Sequence, residues 1–198
     1  MSLFAVSILL VKGGHCVGDW ESIYIYTCII SGYMAGTQFE TQTGSAANYL
    51  CLTDEPTWDH YTETEDNTVR VTAVEYHFSP HFSGNHVEDF LGTDVHFHQA
   101  PCSMCTVPRS VSVMIPGRNQ CYPGWTMEYQ GYLVGGEPRF ADSSEYICLD
   151  RRPESVPGGG EMNNKYNSIY FVEAHCGDGL ECPPYSGGRE LTCVVCSI

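Results

Sequence analysis

At 198 residues, with 42% hydrophobic and 17% charged residues, 20 Gly and 11 Pro, the chain has a globular, turn-rich composition and room for one domain or two small ones. Its formal net charge of −15 comes from 24 acidic residues against 9 basic ones, which are scattered rather than clustered. That excludes nucleic acid and anionic membrane surfaces as partners, because both require a basic footprint.

The apolar run from Ser2 to Val11 is too short to span a bilayer. Segment 1–15 reads either as signal-like, although Lys12 follows the apolar run instead of preceding it, or as a first β-strand. Ile23-Tyr24-Ile25-Tyr26-Thr27 is β-branched and aromatic, a strand signal. Gly/Ser/Thr turns and a charged loop from Asp54 to Asp66 come next. Thr68 to Phe78 then reads as a second long strand, with Val69, Val71 and Ala73 alternating against polar neighbours. Arg109 to Gln120 alternates like a strand and joins the two halves of the chain without a flexible linker. Beyond Cys121, the runs Ser168 to Val172 and Leu191 to Val195 are the clearest strands, and Pro157 to Asn167 is a surface loop by composition. No stretch sustains helical periodicity.

The two halves repeat. Gly32-Tyr33 matches Gly131-Tyr132, Cys51-Leu52 matches Cys148-Leu149, Val74-Glu75 matches Val172-Glu173, and each half ends in C-x-x-C. The offsets are 99 (32 to 131), 97 (51 to 148), 98 (75 to 173) and 91 (102 to 193), so order and spacing are both kept. The chain divides into segment 1–15, repeat one at 16–108, a connecting strand at 109–120 and repeat two at 121–198. The expected fold is all-β and disulfide-rich, two pseudo-repeated β subdomains packed together with little helix.

Eleven cysteines are far more than a reducing cytosol usually holds, which makes disulfides and a secreted, extracellular protein the default reading. A four-thiolate zinc site from the two C-x-x-C pairs is the rival. Zinc ribbons bring their pairs within about 20 residues, whereas here they stand 91 apart.

Cys102-Ser103-Met104-Cys105-Thr106-Val107-Pro108, Ile115-Pro116, Cys121-Tyr122-Pro123-Gly124-Trp125 and Gly131-Tyr132-Leu133 together resemble the centre of the duplicated C-terminal non-collagenous domain of type IV collagen. Ala46-Ala47-Asn48-Tyr49-Leu50-Cys51-Leu52, Tyr170-Phe171-Val172-Glu173-Ala174 and Gly188-Arg189-Glu190-Leu191-Thr192-Cys193-Val194-Val195-Cys196 bring the resemblance closer to the short-chain collagen-like proteins of marine invertebrates. In the type IV domain the six cysteines of each half pair first with sixth, second with fifth and third with fourth. The resemblance therefore implies Cys121 with Cys196, Cys148 with Cys193 and Cys176 with Cys182 in repeat two. Repeat one lacks the third pair, leaving Cys51 with Cys102 and an N-terminal cysteine with Cys105. Cys16 and Cys28 compete for that place. Cys16-Val17-Gly18-Asp19-Trp20 copies the C-x-x-x-W of Cys121 to Trp125, which favours Cys16 and leaves Cys28 as the odd thiol. The family carries a Gly-X-Y triple-helical segment beside this domain, and none occurs in these 198 residues. The resemblance also implies association into larger assemblies.

His77, His81, His86, His96 and His98 place five of the eight histidines within one short segment. His96-Phe97-His98 would set both imidazoles on one face of a strand, a spacing suited to Zn²⁺ or Cu²⁺, with a third ligand from His81, His86, Glu88 or Asp94. Against that stands a solvated histidine-rich loop with no ligand, since repeat two has no counterpart, or a pH-sensitive interface. No G-x-S-x-G, H-E-x-x-H, phosphate-binding glycine loop or D-x-D-x-D-G calcium loop occurs. No catalytic residue and no cofactor is expected, and the protein is not expected to be an enzyme. Tyr33, Tyr49, Trp125, Tyr132 and Tyr146 recur at matched positions and are expected in the subdomain cores; Trp58, Tyr61 and Tyr166 are expected on the surface. The function expected is an extracellular-matrix or assembly module acting by self-association or by binding matrix proteins. The alternatives are lectin-like glycan recognition and metal binding through His77 to His98.

Overall fold

The computed structural model describes residues 6–7, 27–37, 46–63, 69–78, 87–138, 144–160 and 167–198. In chain order the elements are β1 (Val6–Ser7), β2 (Thr27–Thr37), β3 (Leu50–Thr53), β4 (Val71–Ala73), β5 (Glu75–Tyr76), α1 (Val87–Leu91), β6 (Pro101–Thr106), β7 (Ser112–Pro116), β8 (Thr126–Gly136), β9 (Ile147–Asp150), β10 (Ser168–Phe171) and β11 (Thr192–Ser197). They form two sheets. The first runs β1-β6-β2-β3 with β4 on β2; the second runs β5-β10-β8-β11-β7 with β9 on β8. The fold is disulfide-rich and, among the described residues, all-β apart from the helical turn of α1, whose Val87 and Leu91 are buried one turn apart while Glu88 and Asp89 face water.

The internal repeat is a repeat of register. Gly32 stands opposite Cys102 and Gly131 opposite Cys193; Met34 stands opposite Cys51 and Leu133 opposite Cys148; Ala35 stands opposite Ala73 and Val134 opposite Phe171. Both sheets break register beside the last cysteine pair, between Cys28 and Ile30 and between Val195 and Cys196. The Gly-Tyr dipeptides have a steric origin. A Cβ at Gly32 would lie 1.8 Å from the Leu52 carbonyl oxygen, and one at Gly131 would lie 1.7 Å from that of Leu149. Only glycine lets these strands approach.

The segment ahead of each repeat forms an edge strand of that repeat's sheet. In the first, β1 places Ser7 opposite Cys105; in the second, β7 places Val113 opposite Cys196. Val6–Ser7, within the 1–15 segment, is thus a strand, and the connecting strand 109–120 is built into the second sheet.

Thr68 to Phe78 is not one long strand. Thr68 lies outside the described residues, and the rest splits into β4 and β5 at Val74, because the chain changes sheets there. Ala73 still pairs with Ala35 of β2, and the Val74 amide donates to the Met34 carbonyl (2.9 Å). The next amide, that of Glu75, donates to the Asn167 carbonyl (2.8 Å), and β5 runs parallel to β10 of the second half. The core tracks this crossing. Met34, Val74, Tyr76 and Leu91 from the first half and Val134, Leu149 and Ile169 from the second belong to one buried cluster.

Candidate functional site

Four disulfides close within the described residues: Cys51–Cys102, Cys121–Cys196, Cys148–Cys193 and Cys176–Cys182. They are the pairs that the resemblance implies. Cys105 is disulfide-bonded as well, and Cys16 and the side chain of Cys28 lie outside the described residues. The register places one of the two candidates. Cys28 stands opposite Cys105 where Met127 stands opposite Cys196, so Cys28 is the counterpart of Met127 and not of Cys121.

The histidine segment departs from expectation. His96 and His98 are not on a strand: residues 94–98 reverse the chain, with the His98 amide donating to the Val95 carbonyl (3.0 Å) and Phe97 at a φ of 61°. The reversal returns the chain to β5, where the Phe97 amide donates to the Tyr76 carbonyl (2.7 Å) and the Tyr76 amide to the His98 carbonyl (3.0 Å). The two imidazoles have different surroundings. His98 Nδ1 lies 2.9 Å from the His96 carbonyl oxygen, while the His96 ring meets His77 edge-on at 5.2 Å, and His77 stacks on Tyr170 of β10 at 4.8 Å. His81 and His86 lie outside the described residues, among which no three His, Cys, Asp or Glu side chains are grouped to hold a metal.

The histidines thus sit on the seam between the halves. Burial, then His77, lowers the His96 pKa from its ordinary value, with a smaller contribution from His98, and Asp94 opposes the shift. A depressed histidine pKa means the unfolded chain, titrating near ~6.5, binds the proton more readily. Stability from this group is therefore complete above that pH and is lost as pH falls through the lower folded value. We expect the melting temperature to drop between pH 7.5 and pH 5, and His96→Phe to flatten that dependence in a fluorimetric melting series.

A second feature appears only when the sheets are compared. Tyr33 faces Leu52, Ala35 faces Leu50 and Thr37 faces Val71, which puts Tyr33, Leu50, Leu52 and Val71 on one face of the first sheet. The large apolar side chains of that face are open, with Tyr33 and Leu52 each 43% exposed and Val71 47%, while the small Ala35 and Thr37 between them are buried. The matching face of the second sheet carries Tyr132, Ile147, Leu149 and Ile169, and there Leu149 and Ile169 are fully buried. Its cover is the first half's own segment between Val74 and Ala100. Phe78 stacks on Phe171 at 4.3 Å, and Phe90 meets Tyr132 at 5.7 Å.

The strand edges repeat the asymmetry. β10 has β8 on one side and β5 on the other, whereas among the described residues β4 pairs with β2 alone. The second half's equivalent excursion is residues 173–190, where the Glu173–Glu190 bridge matches that between Glu75 and Gln99. It is stapled by Cys176–Cys182, and its Leu180 and Tyr185 stand exposed.

The matched aromatics share this inequality. Tyr49 is buried, but its counterpart Tyr146 is 64% exposed, and Tyr33 and Tyr132 differ because only Tyr132 has Phe90 above it. Trp125 is partly buried; Trp58 and Tyr61 are exposed, and Tyr166 lies outside the described residues.

No helix among the described residues is long and apolar enough to cross a membrane. The disulfides fit an extracellular or secreted protein. No family model matches the chain, and no curated protein matches it.

Proposed function

We propose that this chain is a secreted assembly module that self-associates head to tail and acts by contact, not catalysis. The observation that carries the proposal is the unequal cover of two equivalent sheets. The second sheet has its apolar face and the β10 edge covered by the first half of the same chain, while the first sheet leaves Tyr33, Leu50, Leu52 and Val71 exposed and, among the described residues, the β4 edge open. An apolar face with an adjacent open strand edge is a ready interaction surface. The occupant that fits is a second copy, offering the 173–190 excursion as the equivalent of the segment that already covers the second sheet. Such contacts join two different surfaces, so they close into rings or extend into filaments.

Kinship with the short-chain collagen-like proteins and the type IV collagen domain belongs to the same proposal. It is supported by the nested cysteine pairs within a duplicated register. An extracellular-matrix role comes with that kinship.

Light scattering across a concentration series tests the reading. Multimers are expected, and a clean monomer at every concentration overturns it. Leu52→Glu would bury an unpaired carboxylate in the contact, at a cost of about 2–5 kcal/mol, which weakens association more than tenfold. Because Leu52 is exposed in the single chain, the melting temperature of the dilute protein is expected to stay unchanged.

A further inference from the structure

A cleft of about 530 Å³ opens between the turn after β7 and the residues leading into β11. Arg118 and Arg189 line it, with Tyr122 and Tyr185 and with Pro116 and Leu191 in its apolar wall. We infer that this cleft binds an acidic sugar, a pyranose bearing a carboxylate or a sulfate ester.

Charge is the first argument. The chain has only nine Lys and Arg against 24 acidic residues, yet two arginines line this one cleft, and among the described residues neither forms an ion pair with a carboxylate. The Arg118 guanidinium lies 4.3 Å from the centre of the Tyr122 ring, and its Nε donates to the Gln120 carbonyl (3.1 Å). Those two contacts orient the guanidinium and leave its terminal NH₂ groups to a ligand. A planar fork of this kind suits a carboxylate or sulfate, which it binds through paired charge-assisted hydrogen bonds.

The walls are the second argument. Tyr122 is half exposed and Tyr185 more than a third, giving flat apolar surfaces against which the CH face of a sugar ring packs. Glu190, also on the cleft, accepts hydrogen bonds from sugar hydroxyls. The volume lies within the range of small-ligand sites, about 300–1,000 Å³. A long polyanion would meet the repulsion of the whole −15 chain. A short or terminal acidic sugar meets the two arginines against the one carboxylate of Glu190, since salt screens the remainder beyond about 8 Å.

The cleft shares Tyr185, Arg189 and Glu190 with the 173–190 excursion, whereas Arg118 and Tyr122 belong neither to the open face nor to that excursion, so substitution at Arg118 tests the cleft apart from self-association. The test is titration of the intact protein against three immobilised tetrasaccharide sets, one carrying uronic acids, one carrying sulfate esters and one neutral. Binding to either acidic set and not to the neutral one is expected, and the set that binds identifies the anion. Arg118→Ala is expected to weaken binding at least tenfold, Arg118→Lys less, and the native mass of both variants is expected to be that of the parent. Equal binding to neutral and acidic sets, indifference to Arg118, or binding to none of the three at millimolar concentration overturns the assignment. So does binding of an acidic peptide where no sugar set binds.

Discussion

Replacing Cys148 and Cys193 together by alanine is expected to lower the unfolding free energy by about 4 kcal/mol, the chain-entropy cost of freeing a loop of this length. The bond spans 45 residues and ties β9 to β11 across β8. Both cysteines are buried, packed with Tyr129 and Leu133, so the substitution also opens space in the core. For a chain of this size, that corresponds to a fall of about 10 °C in melting temperature. The contrast is Cys176–Cys182, which closes only six residues in an exposed excursion, and whose removal is expected to cost about 2 kcal/mol. Denaturant unfolding of the two double variants under non-reducing conditions measures both. Equal losses would show that loop length does not govern their contributions.

Arg109→Met is the second large effect. The Arg109 Nη2 lies 2.6 Å from Glu128 Oε1, with both side chains largely shielded from water. Ser197 completes the cluster, donating to Glu128 and accepting from Arg109 Nε. The group ties the segment entering β7 to β8 and to the end of β11. Removing the arginine takes from the buried Glu128 carboxylate the guanidinium 2.6 Å from it, expected to cost about 3–5 kcal/mol. Replacing the pair together, Arg109→Met with Glu128→Met, is expected to recover most of that loss, because the two opposite charges are then removed together. A double-mutant cycle by chemical denaturation reads the coupling. If the double variant is less stable than either single one, packing rather than charge holds this corner.

Much of the architecture was legible from local features. The Gly32-Tyr33 and Gly131-Tyr132 matches announced the internal repeat, the alternating runs announced strands, and the two C-x-x-C endings announced the frame of the halves. The Thr68 to Phe78 run shows where such reading stops. Its alternation is that of a strand, and nothing within it marks Val74 as the point of crossing, because the cause lies in Met34 and Asn167, which are distant in sequence. The His96-Phe97-His98 spacing misled in the same way. A two-residue interval implies a shared face only if the backbone is extended, and the turn is held from outside the segment by Tyr76. The Arg109–Glu128 pair had no signal at all, since neither residue stands in a motif. The acidic-sugar cleft had none either; its two arginines are 71 residues apart (118 to 189).

The sequence by itself determined the internal period, the strand-rich composition and the positions of the cysteines. These depend on residue type and short spacing, and each half repeats them. Only the tertiary structure decided that the halves are unequal. Matched residues have the same neighbours along the strands, yet Leu149 is buried and Leu52 is exposed. The difference is which sheet the segment after Val74 lies on, and burial depends on what the chain brings back from a distance.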